Sequence, residues 1–177
     1  MGTVHLVFGP QGAGKSTFAR ELTASVSGVP ISIDEWMGEL YLPDAPKPLR
    51  LDWVMDRVQR CERRIWAVAS EAAKRGVDVV LDLGFMKAAS RESFRALAER
   101  AGLAVQMHFV TAPLEVRRRR VILWHSIRRW TRQAVTGGAP TERVDRHVGL
   151  WLSQSPQLAL LLDKTHWRSA VNAVVRG

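Results

Sequence analysis

Nine residues near the amino terminus, Gly9-Pro10-Gln11-Gly12-Ala13-Gly14-Lys15-Ser16-Thr17, constrain this chain more than any other stretch. They fit the phosphate-loop pattern G-x-x-x-x-G-K-[ST], with strand formers before them and a helical pattern after. The strand is Val4-His5-Leu6-Val7-Phe8, short, apolar and β-branched. The helix begins near Lys15 and carries Phe18, Ala19 and Leu22 on one packed face. Three glycines let the backbone turn tightly, so that successive N–H groups converge at a helix N-terminus, where orphan donors and the macrodipole favour an anion. Gly9, Gln11, Gly12, Ala13, Gly14, Lys15, Ser16 and Thr17 are therefore the expected nucleotide contacts. Lys15 would lie along the β- and γ-phosphates and the Ser16 hydroxyl would ligate Mg²⁺, which makes ATP and Mg²⁺ the expected ligands. A glycine-rich turn without a ligand is the competing reading.

At 177 residues and 46% hydrophobic content, the chain is long enough for one buried core and short for two, so a single domain over 1–177 is expected. The lone cysteine, Cys61, excludes an internal disulfide, and no Cys/His cluster has zinc-site spacing. No stretch reaches the length of a membrane span, and the first residues lack the basic start of a signal peptide. A cytoplasmic protein with no membrane partner is the expectation. The net charge of +9 invites a nucleic-acid reading. Against it, many arginines fall in two amphipathic helical stretches, and no RNA-recognition or zinc-finger signature is present.

Further along, Val29-Pro30-Ile31-Ser32-Ile33 reads as a second strand closing on Asp34. Acids at the carboxyl ends of strands in an open α/β sheet face the ligand crevice, so Asp34 is the candidate catalytic base, with a plain helix cap as the alternative. Three prolines between Tyr41 and Arg50 dictate a loop, and 52–75 reads as a long helix. Its apolar seam is Val54, Val58, Cys61, Ile65, Val68 and Ala72, which makes Cys61 a core residue. Val77-Asp78-Val79-Val80-Leu81-Asp82 is a buried strand ending in an acid, and Asp82 is the candidate second metal ligand beside Ser16. Ser90 reads as the cap of a helix through Arg100, and 103–110 as a fourth strand in which His108 is structural. From Pro113 a helix carries Arg117-Arg118-Arg119-Arg120, then Arg128, Arg129 and Arg132. This segment, roughly 114–140, is either a solvated basic helix or a lid whose arginines meet the transferring phosphoryl. Residues 141–155 read as a helix, Leu158–Asp163 as a last strand and 166–175 as a closing helix.

The phosphate loop, Ser32-Ile33-Asp34-Glu35-Trp36-Met37 and Val80-Leu81-Asp82 together resemble the phosphate-loop kinases grouped around polynucleotide kinase, zeta toxin and chloramphenicol phosphotransferase, over about residues 3–121. The resemblance implies a P-loop NTPase fold of the α/β class, with a five-stranded parallel sheet of order 2-3-1-4-5 and helices on both faces. It also implies that Asp34 takes the proton of the acceptor hydroxyl and that Asp82 lies beside the phosphates. The lid departs from the family form R-V-x-x-R-N, because Arg120-Val121-Ile122-Leu123 runs into Trp124-His125. Either Arg117, Arg120, Arg128 or Arg132 substitutes for the second arginine of that form or the transfer is impaired, with Arg120 the expected catalytic lid cation and Arg117 an expected nucleotide contact. Three functions compete. The first is an O-phosphotransferase acting on a small-molecule hydroxyl, such as an antibiotic, sugar or nucleotide-sugar. The second is a 5′-hydroxyl nucleic-acid kinase or nucleic-acid-binding ATPase. The third is a GTPase-like switch, which the lack of a D-x-x-G after strand three and of an N-K-x-D motif disfavours. Oligomeric state is not legible.

Overall fold

The computed structural model describes the backbone of residues 1–84 and 87–136, with side chains up to residue 125. Strand β1 (Thr3–Phe8) is followed by α1 (Lys15–Ser25), β2 (Val29–Ser32) and α2 (Ile33–Leu40). After a 3-10 turn at Leu42–Asp44 come α3 (Leu51–Lys74), β3 (Val79–Asp82), α4 (Ala88–Arg100), β4 (Ala104–Phe109) and α5 (Leu114–Thr136). The four described strands form one parallel sheet in the order β2-β3-β1-β4. That is the expected order over its first four members. The expected fifth strand, with the helices expected at 141–155 and 166–175, lies outside the described residues.

Parallel strands joined by helices are covered on both faces, so the central strand reads as a continuous apolar run. In β1, Val4 and Leu6 face one way and Val7 the other, and all three have no exposed surface. The first face packs with Ile31, Ile33, Met37, Cys61, Ile65, Ala69, Ala73, Leu81 and Phe94, which brings α2, α3 and α4 onto one side. The second face holds Val7, Val80 and Ala19, with Phe18 and Leu22 of α1 packed against them. Burying a side chain such as Leu6 or Leu81 stabilises the fold by about 1.5–3 kcal/mol. Burial also pushes the Cys61 thiol up, with the neighbouring Glu62 carboxylate adding to it, which suits a core residue and not a nucleophile.

Several boundaries and one buried face differ from expectation. Strand β2 stops at Ser32 and Ile33 opens α2, because the Ser32 hydroxyl accepts the Glu35 N–H at 3.4 Å and caps the helix. Strand β3 starts at Val79, two residues later than expected. Helix α4 starts at Ala88 after Lys87, so Ser90 lies inside its first turn and is not the cap. In α3 the buried seam is Cys61, Ile65, Ala69 and Ala73, whereas Val68 is 39% exposed. The small alanines let this helix lie close to the sheet edge, where Gly2 N donates to the Ala73 carbonyl at 2.7 Å.

The chain divides into two compact units, Met1–Tyr41 with Ala45–Thr111, and Leu42–Asp44 with Ala112–Gly177. All four strands and α1 to α4 belong to the first unit, and α5 to the second.

Candidate functional site

The carboxyl end of β1 runs straight into the phosphate loop. Gly9, Gly12 and Gly14 take φ of 149°, 75° and 96°, values that L side chains rarely adopt. At Gly9 there is also no room: a Cβ would lie 1.9 Å from the Val110 carbonyl oxygen. Val110, the residue after β4, is itself held in place, since its N–H donates to the Phe8 carbonyl at 2.8 Å. Within the loop, Ala13 N donates to the Pro10 carbonyl at 3.3 Å. Helix α1 then starts with Gly14 as its cap residue, with no side-chain cap and no acid in the first turn. A helix start that follows a glycine turn, without a side-chain cap or a first-turn acid, is of the form that suits an anion. The Lys15 ammonium donates to the Pro10 carbonyl at 3.2 Å, which holds the charge over the loop. Ser16 and Thr17 follow, both half-buried in the first turn of α1.

The two candidate carboxylates stand at the same edge of the sheet. Asp82 is the last residue of β3, half-buried, and pairs in register with Ser32 of β2. One step earlier, Leu81 pairs with Leu6 on β1, so Asp82 is level with Val7 and just short of the phosphate loop. Asp34 lies two residues beyond Ser32, exposed, in the first turn of α2. It is neither the strand end nor the cap, since the cap is Ser32, and the carboxylates of Asp34 and Glu35 favour the helix through its dipole. Among the described residues no group of three or more His, Cys, Asp or Glu side chains could hold a metal by themselves. Ser16 and Asp82 nevertheless suit Mg²⁺, a hard cation that takes one or two protein oxygens and completes its shell with phosphates and water.

Of the arginines expected in a lid, Arg117 donates from Nε to the Ala112 carbonyl at 3.0 Å, tying it to the start of its own helix. Arg119 pairs with Glu115 one turn back at 3.2 Å, and Arg120 is half-buried. Arg128, Arg129 and Arg132 have side chains outside the described residues. Four further arginines are engaged locally: Arg57 and Arg60 with Asp56, Arg75 with Glu71, and Arg95 with Glu92 and Glu99. Such exposed pairs contribute only tenths of a kcal/mol, about 0.2–1.

One basic residue at the sheet edge has no place in the motif reading. The Arg91 guanidinium, on the first turn of α4, lies 4.7 Å above the centre of the Phe8 ring, at the point where β1 enters the phosphate loop. Phe8 in turn meets Phe109 of β4, ring centroids 5.4 Å apart. An arginine in a helix rich in arginine carries no local signature, and only the packing of α4 on the β1 face singles it out.

A family model described as an AAA domain matches residues 4–122, a span that contains the phosphate loop, Asp34, Asp82, Arg117 and Arg120. An adenylyl-sulfate kinase from Myxococcus xanthus (strain DK1622) is 35% identical over 115 residues, which cover 61% of this chain and 57% of that protein. The chain thus spans little more than half the length of this curated relative.

Proposed function

The chain belongs to the AAA-domain family, and from that premise we propose that it is an ATP-dependent kinase transferring the γ-phosphoryl group to a hydroxyl of a small molecule. The observation that carries this reading is the phosphate loop at the end of β1, with Asp34 and Asp82 at the same edge of the sheet. The likeness to an adenylyl-sulfate kinase supports a small-molecule acceptor. Antibiotic, sugar and nucleotide-sugar hydroxyls are the candidate classes.

In this reading the loop N–H groups and Lys15 hold the triphosphate, and Ser16 and Asp82 hold Mg²⁺, which neutralises charge on the phosphates when bound. Asp34 accepts the proton of the acceptor hydroxyl as its oxygen bonds to the γ-phosphorus, and the bond from that phosphorus to the β,γ-bridging oxygen breaks to leave ADP. Arg120 and Arg117 act as lid cations, and residues 1–177 form one cytoplasmic catalytic domain. A 5′-hydroxyl nucleic-acid kinase is the second reading, favoured by the net charge of +9.

Replacing Asp34 by Asn separates binding from chemistry. ATP affinity, measured by calorimetry, should stay near the parent value, while phosphorylation of a working acceptor falls about 10²- to 10⁴-fold, the usual worth of a general base. Transfer at the parent rate would remove Asp34 from the mechanism and make Glu35 and Asp82 the next bases to replace.

A further inference from the structure

A histidine is an unusual occupant of a central parallel strand, yet His5 is only 3% exposed and lies between the fully buried Val4 and Leu6. Its Nδ1 is 3.0 Å from Nε2 of His108 on the neighbouring strand, with ring centroids 5.2 Å apart. In the β1–β4 register His5 faces Gln106 and Val7 faces His108, so the two rings meet diagonally across the ladder. Phe18 of α1 closes on the pair, 5.5 Å from the His108 ring. Just above it, β4 supports the phosphate loop, through the Val110 to Phe8 hydrogen bond and the contact of Gly9 with the Val110 carbonyl.

Two neutral imidazoles share one hydrogen bond, with an N–H on one side and a lone pair on the other. The second nitrogen of His5, Nε2, is buried without a hydrogen-bond partner. A bare lone pair is tolerable there, but protonating His5 would create a buried N–H donor with no acceptor, at the full cost of its desolvation. A proton on each ring would further set two cations in contact inside the sheet. We propose that His5 and His108 form a proton-operated latch that clamps β1 to β4 beneath the phosphate loop while both rings are neutral, and releases it when they become charged. Its consequence for nucleotide binding rests on the function proposed above.

The charges around the pair agree. Burial lowers the His5 pKa below the ordinary 6.5, and the Asp78 carboxylate, which accepts the Thr3 N–H at 2.6 Å, opposes this in part. Burial and then His5 itself lower that of His108. From α1 the pair meets Phe18, and the charged residues of that helix near its start are Lys15, Arg20 and Glu21. Strand β3 adds the apolar Val80 on this face, and β4 adds Gln106. Because both rings are depressed, the unfolded chain binds the protons more tightly. The latch therefore contributes fully above pH 6.5 and is lost as the pH falls below it.

The experiment follows unfolding in urea and ATP binding by calorimetry at pH 7.5 and 5.5, for the parent and for His108→Gln, which keeps an acceptor for His5 but cannot take a charge. His5→Leu, which keeps the strand apolar, is the second variant. The parent's folding constant should fall by up to about tenfold per pH unit below 6.5 for each proton taken up, and its ATP affinity should fall with it. Both variants should show a shallower loss in both measurements. Equal pH dependence of unfolding in all three proteins would overturn the latch. An unfolding difference of the expected sign with no ATP binding at either pH would support the latch and overturn the nucleotide reading.

Discussion

Gly9 serves two geometric demands at once: a φ of 149° and contact with the Val110 carbonyl at a distance that excludes a Cβ. Gly9→Ala must move either the loop or β4. We expect a loss of about 1–3 kcal/mol in denaturant unfolding, the usual cost of overpacking or backbone strain, together with weakened ATP binding. Unchanged unfolding and affinity would mean that β1 and β4 separate more readily than this packing implies. The loop was legible in the sequence because its chemistry is executed by backbone, which restricts the residues that can stand there. Asp34 was visible as an acid near a strand end, but its setting was not. Ser32-Ile33-Asp34-Glu35 is a Ser-x-x-Glu signature that marks a helix start, and the strand-like residue Ile33 hid it. His5 drew no notice because it sits in a strand whose pattern is otherwise apolar. His108 read as structural, and its contact with His5 fits that reading.

At the scale of elements, α3 shows how a correct helix can be assigned an imperfect face. Alternating spacings of four and three select large side chains, and so Val68 was placed inward. The buried seam instead steps by four through Cys61, Ile65, Ala69 and Ala73. Each four-residue step turns about 40° around a straight helix, so the seam winds across the sheet it covers. Alanine is buried there because close approach leaves no volume for more. Ala69→Leu should therefore cost about 1–3 kcal/mol of stability by overpacking. Val68→Ala, at an exposed position, should stay within about 0.5 kcal/mol of the parent. Equilibrium unfolding of the two variants decides between the seams, because the alternate spacing demands the opposite ranking. Strands β1 and β3 were easier to read, since buried parallel strands are short apolar runs, and these two and the mostly exposed β4 were each located to within about two residues of the observed bounds, the usual margin at element ends.

For the whole molecule, the first four places of the sheet order follow the resemblance to phosphate-loop kinases, which supplied a topology that composition and periodicity could not. Net charge was the weaker guide. It gives the excess of 26 basic over 17 acidic side chains without saying where on the molecule that excess lies. The acceptor was not legible because a small-molecule substrate is selected by the shape of a binding site, and no local spacing of residues encodes that shape. In the proposed function Lys15 and its loop deliver a triphosphate for transfer. The most direct measurement of this delivery is the passage of label from γ-labelled ATP to a panel of small hydroxyl acceptors, with the parent protein and Lys15→Ala compared side by side and thermal melting of both recorded. A labelled acceptor is expected with the parent, with transfer abolished or greatly reduced in Lys15→Ala and melting nearly unchanged. Equal transfer by the two proteins, or no labelled acceptor from a parent protein that is folded, would contradict the proposed function.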